Sequence, residues 1–170
     1  MKGIGVLSDT HGLVRPEALA ALAGASHIVH AGDIGGPEVL AALLAIAPVT
    51  AVRGNNDHGP WAEALPERVT VTLGGLVVHV LHDLAELAID PADEGVAVVI
   101  TGHSHRPRIE RQGGVQYLNP GSAGPRRFQL PVTLANLSTG GEATLVELVS
   151  APAGDAPGEA RDRPRRAERR

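Results

Sequence analysis

The stretch Ile4-Gly5-Val6-Leu7-Ser8-Asp9-Thr10-His11-Gly12 contains the pattern that decides the fold. Its apolar first half predicts a short buried strand at residues 4–8, and the polar residues after it predict a turn at the carboxyl end of that strand. Pro16 then begins a run rich in Ala and Leu that extends to about residue 23. Because proline is favoured in the first turn of a helix, this run predicts a helix directly after the strand.

The same order of strand and helix recurs along the first half of the chain. Residues 27–30 and 49–52 are predicted strands, and Pro37 begins a predicted helix between them that extends to about residue 45. Strands that alternate with helices at this spacing indicate parallel βαβ units.

The second half of the chain favours hairpins. Residues 68–73 and 76–81 flank Gly74-Gly75, a dipeptide typical of a tight turn between antiparallel strands. Parallel units followed by hairpins predict an α/β fold in which two mixed sheets pack as a sandwich with helices outside. The further strands are predicted at residues 96–101, 108–111, 115–118, 132–137 and 143–149.

Length and composition predict one folded domain followed by a tail. A chain of 170 residues can bury a single core, which we place at residues 1–150. Residues 151–170 contain only Ala, Pro, Gly, Arg and acidic residues. Such a segment cannot bury enough apolar surface to offset the entropy of ordering, so it is predicted to be disordered.

Composition also excludes several classes of site and partner. The chain has no cysteine, which excludes disulfides and thiolate metal sites. No apolar run approaches the roughly 20 residues of a membrane span, and the first residues lack the pattern of a signal peptide. We therefore expect a cytoplasmic protein with no membrane partner. The net charge of −4 gives no support for a strong nucleic-acid surface, and homo-oligomerisation stays open.

Polar side chains with metal-binding chemistry follow five of the predicted strands. The carboxyl ends of strands in an α/β sheet line one crevice, so these side chains are expected to meet there. In an extended segment, ligands spaced two apart, as in Asp-x-His and His-x-His, lie on the same side. The candidates are Asp9, His11, Asp33, Asn55, His82, His103 and His105.

The types of these side chains indicate which metals they would bind. Imidazoles, carboxylates and an amide without thiolates suit Mn²⁺, Fe, Ni²⁺, Co²⁺ or Zn²⁺ better than Ca²⁺, and we take Mn²⁺ as the first candidate. Seven ligands exceed the needs of one ion. Two divalent ions about 3.5–4 Å apart, sharing a bridging carboxylate, would use them all and would lower the pKa of a bridging water.

Four strings in this chain resemble the motifs of the calcineurin-like metallophosphoesterase superfamily. They are Asp9-Thr10-His11-Gly12, Gly32-Asp33, Gly54-Asn55-Asn56-Asp57 and Gly102-His103-Ser104-His105. The short length, Arg53 before Gly54, and Asn119-Pro120-Gly121-Ser122 are similar to the small single-domain phosphodiesterases of bacteria and archaea, a branch related to the retromer scaffold subunit. The resemblance implies a four-layer αββα sandwich of two mixed sheets.

The resemblance also implies a role for each candidate residue. Asp33 would bridge two ions. The first ion would be held by Asp9, His11 and His105, and the second by Asn55, His82 and His103. The residues expected at the centre of catalysis are Asp33, Asn55, Asn56 and His103.

Two positions depart from the family pattern. Asn56 stands where many members have a histidine that meets the leaving group, and an amide cannot donate a proton as an imidazolium can. Asp83 follows His82 where a glycine is usual, which places the geometry of His82 in question and makes His79 the fallback ligand.

These features together predict a metal-dependent phosphoesterase, most simply a phosphodiesterase acting on a small-molecule phosphate diester. One alternative is a scaffold protein that kept the fold and lost the chemistry. Another is a phosphomonoesterase or cyclic-nucleotide phosphodiesterase.

Some polar residues near these motifs have simpler interpretations. His30 is either a partner of the ligands or a hydrogen-bonded core histidine. Arg106 is either a contact for substrate phosphate or, as we expect, a solvated charge, and Arg126 and Arg127 are predicted to be solvated. The turn at Asn119-Pro120-Gly121-Ser122 is predicted to pack under the site and hold the loop that contains His103.

Overall fold

Two five-stranded sheets form the centre of the protein in the computed structural model, which describes residues 3–149. The first sheet contains β1 (Ile4–Leu7), β2 (His27–His30), β3 (Val49–Ala51), β9 (Val132–Leu137) and β10 (Ala143–Val149) in the order β10-β9-β1-β2-β3. The second contains β4 (Arg68–Leu73), β5 (Leu76–Leu81), β6 (Val98–Ile100), β7 (Arg108–Gln112) and β8 (Val115–Asn119) in the order β4-β5-β6-β8-β7.

Each sheet has a parallel centre with antiparallel strands beside it. Strands β1, β2 and β3 pair in parallel, as do β5, β6 and β8. Strands β9 and β10 extend the first sheet, and β4 and β7 form the antiparallel edges of the second. The predicted sandwich of two mixed sheets is therefore confirmed.

Alternation along the strands divides the apolar residues between faces. Ile4 and Val6 of the first sheet meet Val78 and Val98 of the second in the core between the sheets. The outer face of the first sheet is covered by α1 (Pro16–Leu22) and α2 (Pro37–Leu44), whose apolar sides pack on Leu7. Both helices begin at the proline that the sequence indicated.

The outer layer over the second sheet is thin. In residues 3–149 this layer consists of a short 3₁₀ turn, Leu84–Glu86, and the loop after it, which pack on Leu81, Val96 and Val99. Neither this turn nor the four-residue helix α3 (Pro60–Glu63) was predicted, because segments this short have no apolar period.

Two other predictions concern the C-terminal tail and membrane-spanning helices. The predicted tail at residues 151–170 lies outside the described residues. Within residues 3–149, no helix has the length and apolarity to cross a membrane.

Candidate metal centre

The loops that follow β1, β2, β3, β5 and β6 meet at one edge of the sandwich. Backbone hydrogen bonds continue the strand pairing into these loops. Asp9 N donates to Gly32 O at 3.0 Å, and Gly102 N donates to His82 O at 2.9 Å. These bonds fix the loops to one another, and they bring together the seven side chains that the sequence identified.

The first cluster contains Asp9, His11 and His105. His105 Nε2 lies 3.2 Å from Asp9 Oδ1 and 3.4 Å from His11 Nε2. Asp9 is fully buried, and its Oδ1 has no hydrogen-bond partner among residues 3–149. A buried carboxylate oxygen without a partner is costly, so a cation at this position would satisfy an atom that the described part of the protein leaves unsatisfied.

The second cluster contains Asn55, His82 and His103. Asn55 Oδ1 lies 3.1 Å from His82 Nε2 and 3.1 Å from His103 Nδ1. His82 Nδ1 donates to the carbonyl oxygen of Ala31 at 2.7 Å, so Nε2 is the nitrogen that faces the oxygens of Asn55 and Asp33. Such a backbone contact is the usual way to orient a metal-binding histidine.

Asp33 lies between the two clusters. Its Oδ1 is 3.4 Å from His82 Nε2, and its Oδ2 is 3.8 Å from His11 Nε2. Burial would raise the pKa of Asp33, but hydrogen bonds from His82 and Asn56 outweigh it and hold the pKa well below its usual range. Asp33 therefore stays charged and directs one oxygen to each cluster.

Asn56 contacts Asp33 with both its backbone and its side chain. Its N–H donates to Oδ1 at 2.9 Å and its Nδ2 donates to Oδ2 at 2.7 Å. Asn56 thus fixes the orientation of the carboxylate, a contact that the sequence did not indicate.

Five of the seven side chains stand on backbone with positive φ. The values are 56° for Asp9, 47° for His11, 54° for Asp33, 66° for His103 and 57° for His105. Outside glycine, the only other described residue with positive φ is Phe128. Such conformations cost of order 1–3 kcal/mol each and persist where surrounding bonds enforce them, which is common at functional sites.

Asp57 holds the loops that contain Asp33 and Asn55. Its carboxylate accepts the N–H groups of Ile34, Gly35 and Gly54 at 3.1, 2.9 and 2.8 Å. The sequence placed Asp57 in a motif without giving it this role, because two of the three bonds join segments more than 20 residues apart.

His30 is a hydrogen-bonded core residue behind the clusters. Gly32 N donates to its Nδ1 at 3.2 Å, so the proton of the neutral ring is on Nε2, which donates to Thr10 Oγ1 at 2.9 Å. Thr10 Oγ1 donates in turn to the carbonyl oxygen of Ile34 at 2.9 Å. Burial lowers the pKa of His30 to about 4, which keeps the ring neutral. Of the two predicted roles, the structure supports the core histidine.

The turn after β8 holds the loop that contains His103, as predicted. Asn119 Nδ2 donates to the carbonyl oxygen of Gly102 at 2.7 Å, and Ser122 Oγ donates to that of Asp9 at 3.0 Å.

The departure at Asp83 leaves His82 in place. Asp83 has ordinary extended backbone, with φ −106° and ψ 123°, so the position does not need a glycine. One oxygen of Asp83 accepts the N–H of Ala85 at 3.0 Å, and the other lies 3.8 Å from His103 Nε2. The fallback residue, His79, lies on the outer face of the second sheet and contacts Thr70 at 2.7 Å.

Arg127 lies at the edge of the first cluster and is exposed to solvent, as the sequence predicted. Its Nη2 is 3.5 Å from His11 Nε2. Arg15 donates two hydrogen bonds to the carbonyl oxygen of Gly124, both at 3.1 Å, and so fixes the start of the loop that contains Arg127. Burial lowers the pKa of His11, and it outweighs the carboxylates of Asp33 and Asp9, which would raise that pKa. The positive charges of Arg127 and His105 lower the pKa further. The ring therefore stays neutral, which is the form that binds metal.

The donor set fits divalent cations. Each cluster combines imidazole nitrogens with an anionic or amide oxygen, and Asp33 faces both. Nitrogen and oxygen donors without sulfur suit Mn²⁺, Fe²⁺ or Zn²⁺.

Comparison with known proteins agrees with this geometry. Residues 1–142 match the model of the calcineurin-like phosphoesterase superfamily domain. The chain is 33% identical to a probable metallophosphoesterase of Methanothermobacter thermautotrophicus, over 86% of this chain and 91% of the relative.

Two solved structures share the fold. A novel archaeal phosphodiesterase superposes with a TM-score of 0.73 at 23% identity, over 86% of this chain and 99% of the other. The Vps29 protein of Entamoeba histolytica, in a complex with zinc, superposes with a TM-score of 0.64 at 23% identity, also over 86% of this chain and 99% of the other.

Proposed function

The chain belongs to the calcineurin-like phosphoesterase superfamily, and from this premise we propose that it is a phosphodiesterase that uses two divalent metal ions. The observation that carries the proposal is Asp33, which directs one carboxylate oxygen to each of two clusters of metal-binding side chains.

The proposed first ion would be held by Asp9, His11 and His105, and the second by Asn55, His82 and His103, with Asp33 shared. When bound, such a pair of ions lowers the pKa of a coordinated water and neutralises charge on the phosphoryl oxygens. We propose Mn²⁺ as the native metal on the chemistry of the donors. The zinc complex of the Vps29 relative supports use of the same fold to bind a divalent ion.

The chain's own residues would position the substrate and the bridging carboxylate. Arg127 presents a guanidinium beside His11, where it can donate hydrogen bonds to a phosphoryl oxygen. Asn56 holds Asp33 and is an amide, so it supplies no proton to a leaving group. A site of this kind favours diesters with good leaving groups. The archaeal protein that shares the fold is described as a phosphodiesterase, which supports the choice of diesters.

The test combines metal content with turnover. Metal-depleted protein should hydrolyse bis(p-nitrophenyl) phosphate only after Mn²⁺ is added, and elemental analysis should give two ions per chain. Asp33→Asn should lose both ions and reduce turnover at least a hundredfold, because each ion loses a charged ligand. Asp93→Asn, an exposed carboxylate on the loop over the second sheet, is the matched control. Full activity in the metal-depleted protein would overturn the proposal.

The scaffold alternative rests on the shared fold with Vps29. It predicts that the protein binds metal but hydrolyses neither diesters, monoesters nor cyclic nucleotides. A panel of these three substrate classes at one Mn²⁺ concentration separates the scaffold, the monoesterase and the phosphodiesterase.

A further inference from the structure

A cavity of about 670 Å³ opens beside the second cluster, on the outer face of the second sheet. His103 and Asp83 stand at the end of the cavity that adjoins the proposed metal ions. Leu84, Leu87 and Tyr117 line its interior, and Arg106 lies on its rim. The cavity is therefore continuous with the candidate metal centre.

The thin outer layer over the second sheet accounts for this cavity. Strand β8 places Tyr117 on the outer face, since neighbouring Leu118 points into the core between the sheets. The short 3₁₀ turn that contains Leu84 covers only part of this face. A ring and two leucines consequently stay accessible, with Leu84 41% exposed.

The lining indicates the chemistry of an occupant. Its volume lies in the range of about 300–1,000 Å³ that is usual for small-molecule sites. Tyr117 is the only tyrosine of the chain, and its ring can stack on a flat ring. Arg108 pairs with Glu110, whereas the guanidinium of Arg106 has no partner within residues 3–149. Arg106 can therefore donate hydrogen bonds to acceptor atoms on the occupant.

We propose that this cavity binds one ester substituent of the substrate, a flat heteroaromatic ring with acceptor atoms, as in a nucleoside. This inference rests on the proposed phosphodiesterase function, because it places phosphorus between the two clusters. His103 connects the two regions, since it belongs to the second cluster and also lines the cavity. Arg127 lies on the other side of the centre, beside the first cluster, and so leaves the cavity open.

The first experiment compares two diesters with the same leaving group in the Mn²⁺-loaded protein. Thymidine 5′-(p-nitrophenyl) phosphate carries a ring on its second ester, and methyl p-nitrophenyl phosphate does not. The ratio of their kcat/KM values should favour the thymidine ester about tenfold, the scale of one base stacked on an aromatic ring. Tyr117→Leu keeps an apolar side chain at this position and should bring the ratio close to one.

Two further variants make the comparison specific. Leu84→Ala removes an exposed side chain of the cavity wall and should also lower the ratio. Ile109 lies on β7 and pairs with Leu118, so its side chain points away from the cavity. Ile109→Ala should therefore leave the ratio unchanged. A wild-type ratio near one, or an unchanged ratio in Tyr117→Leu, would overturn the inference.

A binding measurement separates failure of this inference from failure of the proposed function. Phenylphosphonate and methylphosphonate have carbon–phosphorus bonds that the enzyme cannot hydrolyse. Calorimetry should show phenylphosphonate binding about tenfold more tightly to the wild type, and equal binding of the two to Tyr117→Leu. If neither diester is hydrolysed but the two phosphonates still bind with different affinities, the proposed function is wrong and the cavity still binds a ring. Equal binding of the two phosphonates to the wild type would show that the cavity does not bind the ring.

Discussion

At the scale of single residues, Arg127 is an arginine beside the proposed first metal ion, since its Nη2 lies 3.5 Å from His11 Nε2. Arg127→Ala should raise KM for the aryl diester about tenfold, because one hydrogen bond to a charged group is lost at a partly solvated site. The inhibition constant of inorganic phosphate should rise by a similar factor, while Mn²⁺ content stays the same. Arg127→Lys should recover part of the loss.

Arg111 provides the control for that substitution. It is an exposed arginine of β7, so Arg111→Ala changes the net charge equally without touching the clusters. An unchanged phosphate inhibition constant in Arg127→Ala would contradict the role given to this residue.

His30 makes stability depend on pH in the metal-free protein. Its pKa is about 4 in the folded state, against 6.5 for an unperturbed histidine, so the unfolded chain binds the proton first as pH falls. The free energy of unfolding should therefore decrease between pH 6.5 and pH 4, by about 3 kcal/mol from this residue, and its contribution should be constant above pH 6.5. Urea denaturation of wild type and His30→Gln at several pH values measures it, because the variant lacks this contribution. Parallel pH profiles would exclude it.

The sequence could predict which side chains lie together at this edge of the sandwich, whereas it could not predict their local geometry. Each candidate follows a predicted strand, and the ends of parallel strands meet by the rules of the fold. The positive φ of His103 and the bonds from Asn56 to Asp33 depend on contacts between distant segments. No local pattern encodes such contacts, so the sequence did not predict that Asn56 orients Asp33.

At the scale of elements, close packing between the loops after β2 and β3 fixes Asp33. A Cβ at Gly54 would collide with the backbone N and the carboxylate of Asp33. Gly54→Ala should therefore destabilise the protein by about 1–3 kcal/mol and weaken Mn²⁺ binding, because Asp33 must move. Thermal denaturation and metal titration measure the two effects.

Gly140 is the matched position for that substitution. It lies in the turn between β9 and β10, and the nearest atom to an added Cβ is Ser138 Oγ at 3.6 Å. Gly140→Ala should leave metal binding unchanged. Equal metal affinity in Gly54→Ala would show that the loop accommodates the methyl group without moving Asp33.

The regular elements followed the sequence closely because hydrophobic period and proline positions are local. Pro16 and Pro37 begin α1 and α2 as predicted, and Gly74-Gly75 joins β4 to β5. The layer over the second sheet contains the short turn Leu84–Glu86, which residue patterns gave no reason to expect.

At the scale of the whole molecule, the clusters join the two sheets. Loops after strands of the first sheet supply Asp9, Asp33 and Asn55, and loops after strands of the second supply His82 and His105. Mn²⁺ should therefore stabilise the sandwich, by about 2.7 kcal/mol at a free concentration one hundred times the Kd. Melting temperature should rise on addition of Mn²⁺ and fall with a chelator in the wild type. His105→Ala should show a smaller change, and an equal rise would contradict this assignment.

The proposed domain boundary is testable at the same scale. The family model matches residues 1–142, and β10 ends at Val149. We expect a chain that ends at residue 150 to keep the melting temperature and diester turnover of the full chain. A lower melting temperature of the shortened chain would show that residues 151–170 contribute to the stability of the fold.

The cavity wall has a consequence for how this protein can diverge. Arg108 and Glu110 lie on the edge strand β7 with more than half of each side chain exposed, and Leu84 stands on a turn outside both sheets. Mutations at such positions cost little stability, whereas the proposed ligands depend on strained backbone and shared bonds. Substrate preference can therefore drift among descendants of this protein while its catalytic residues are inherited unchanged.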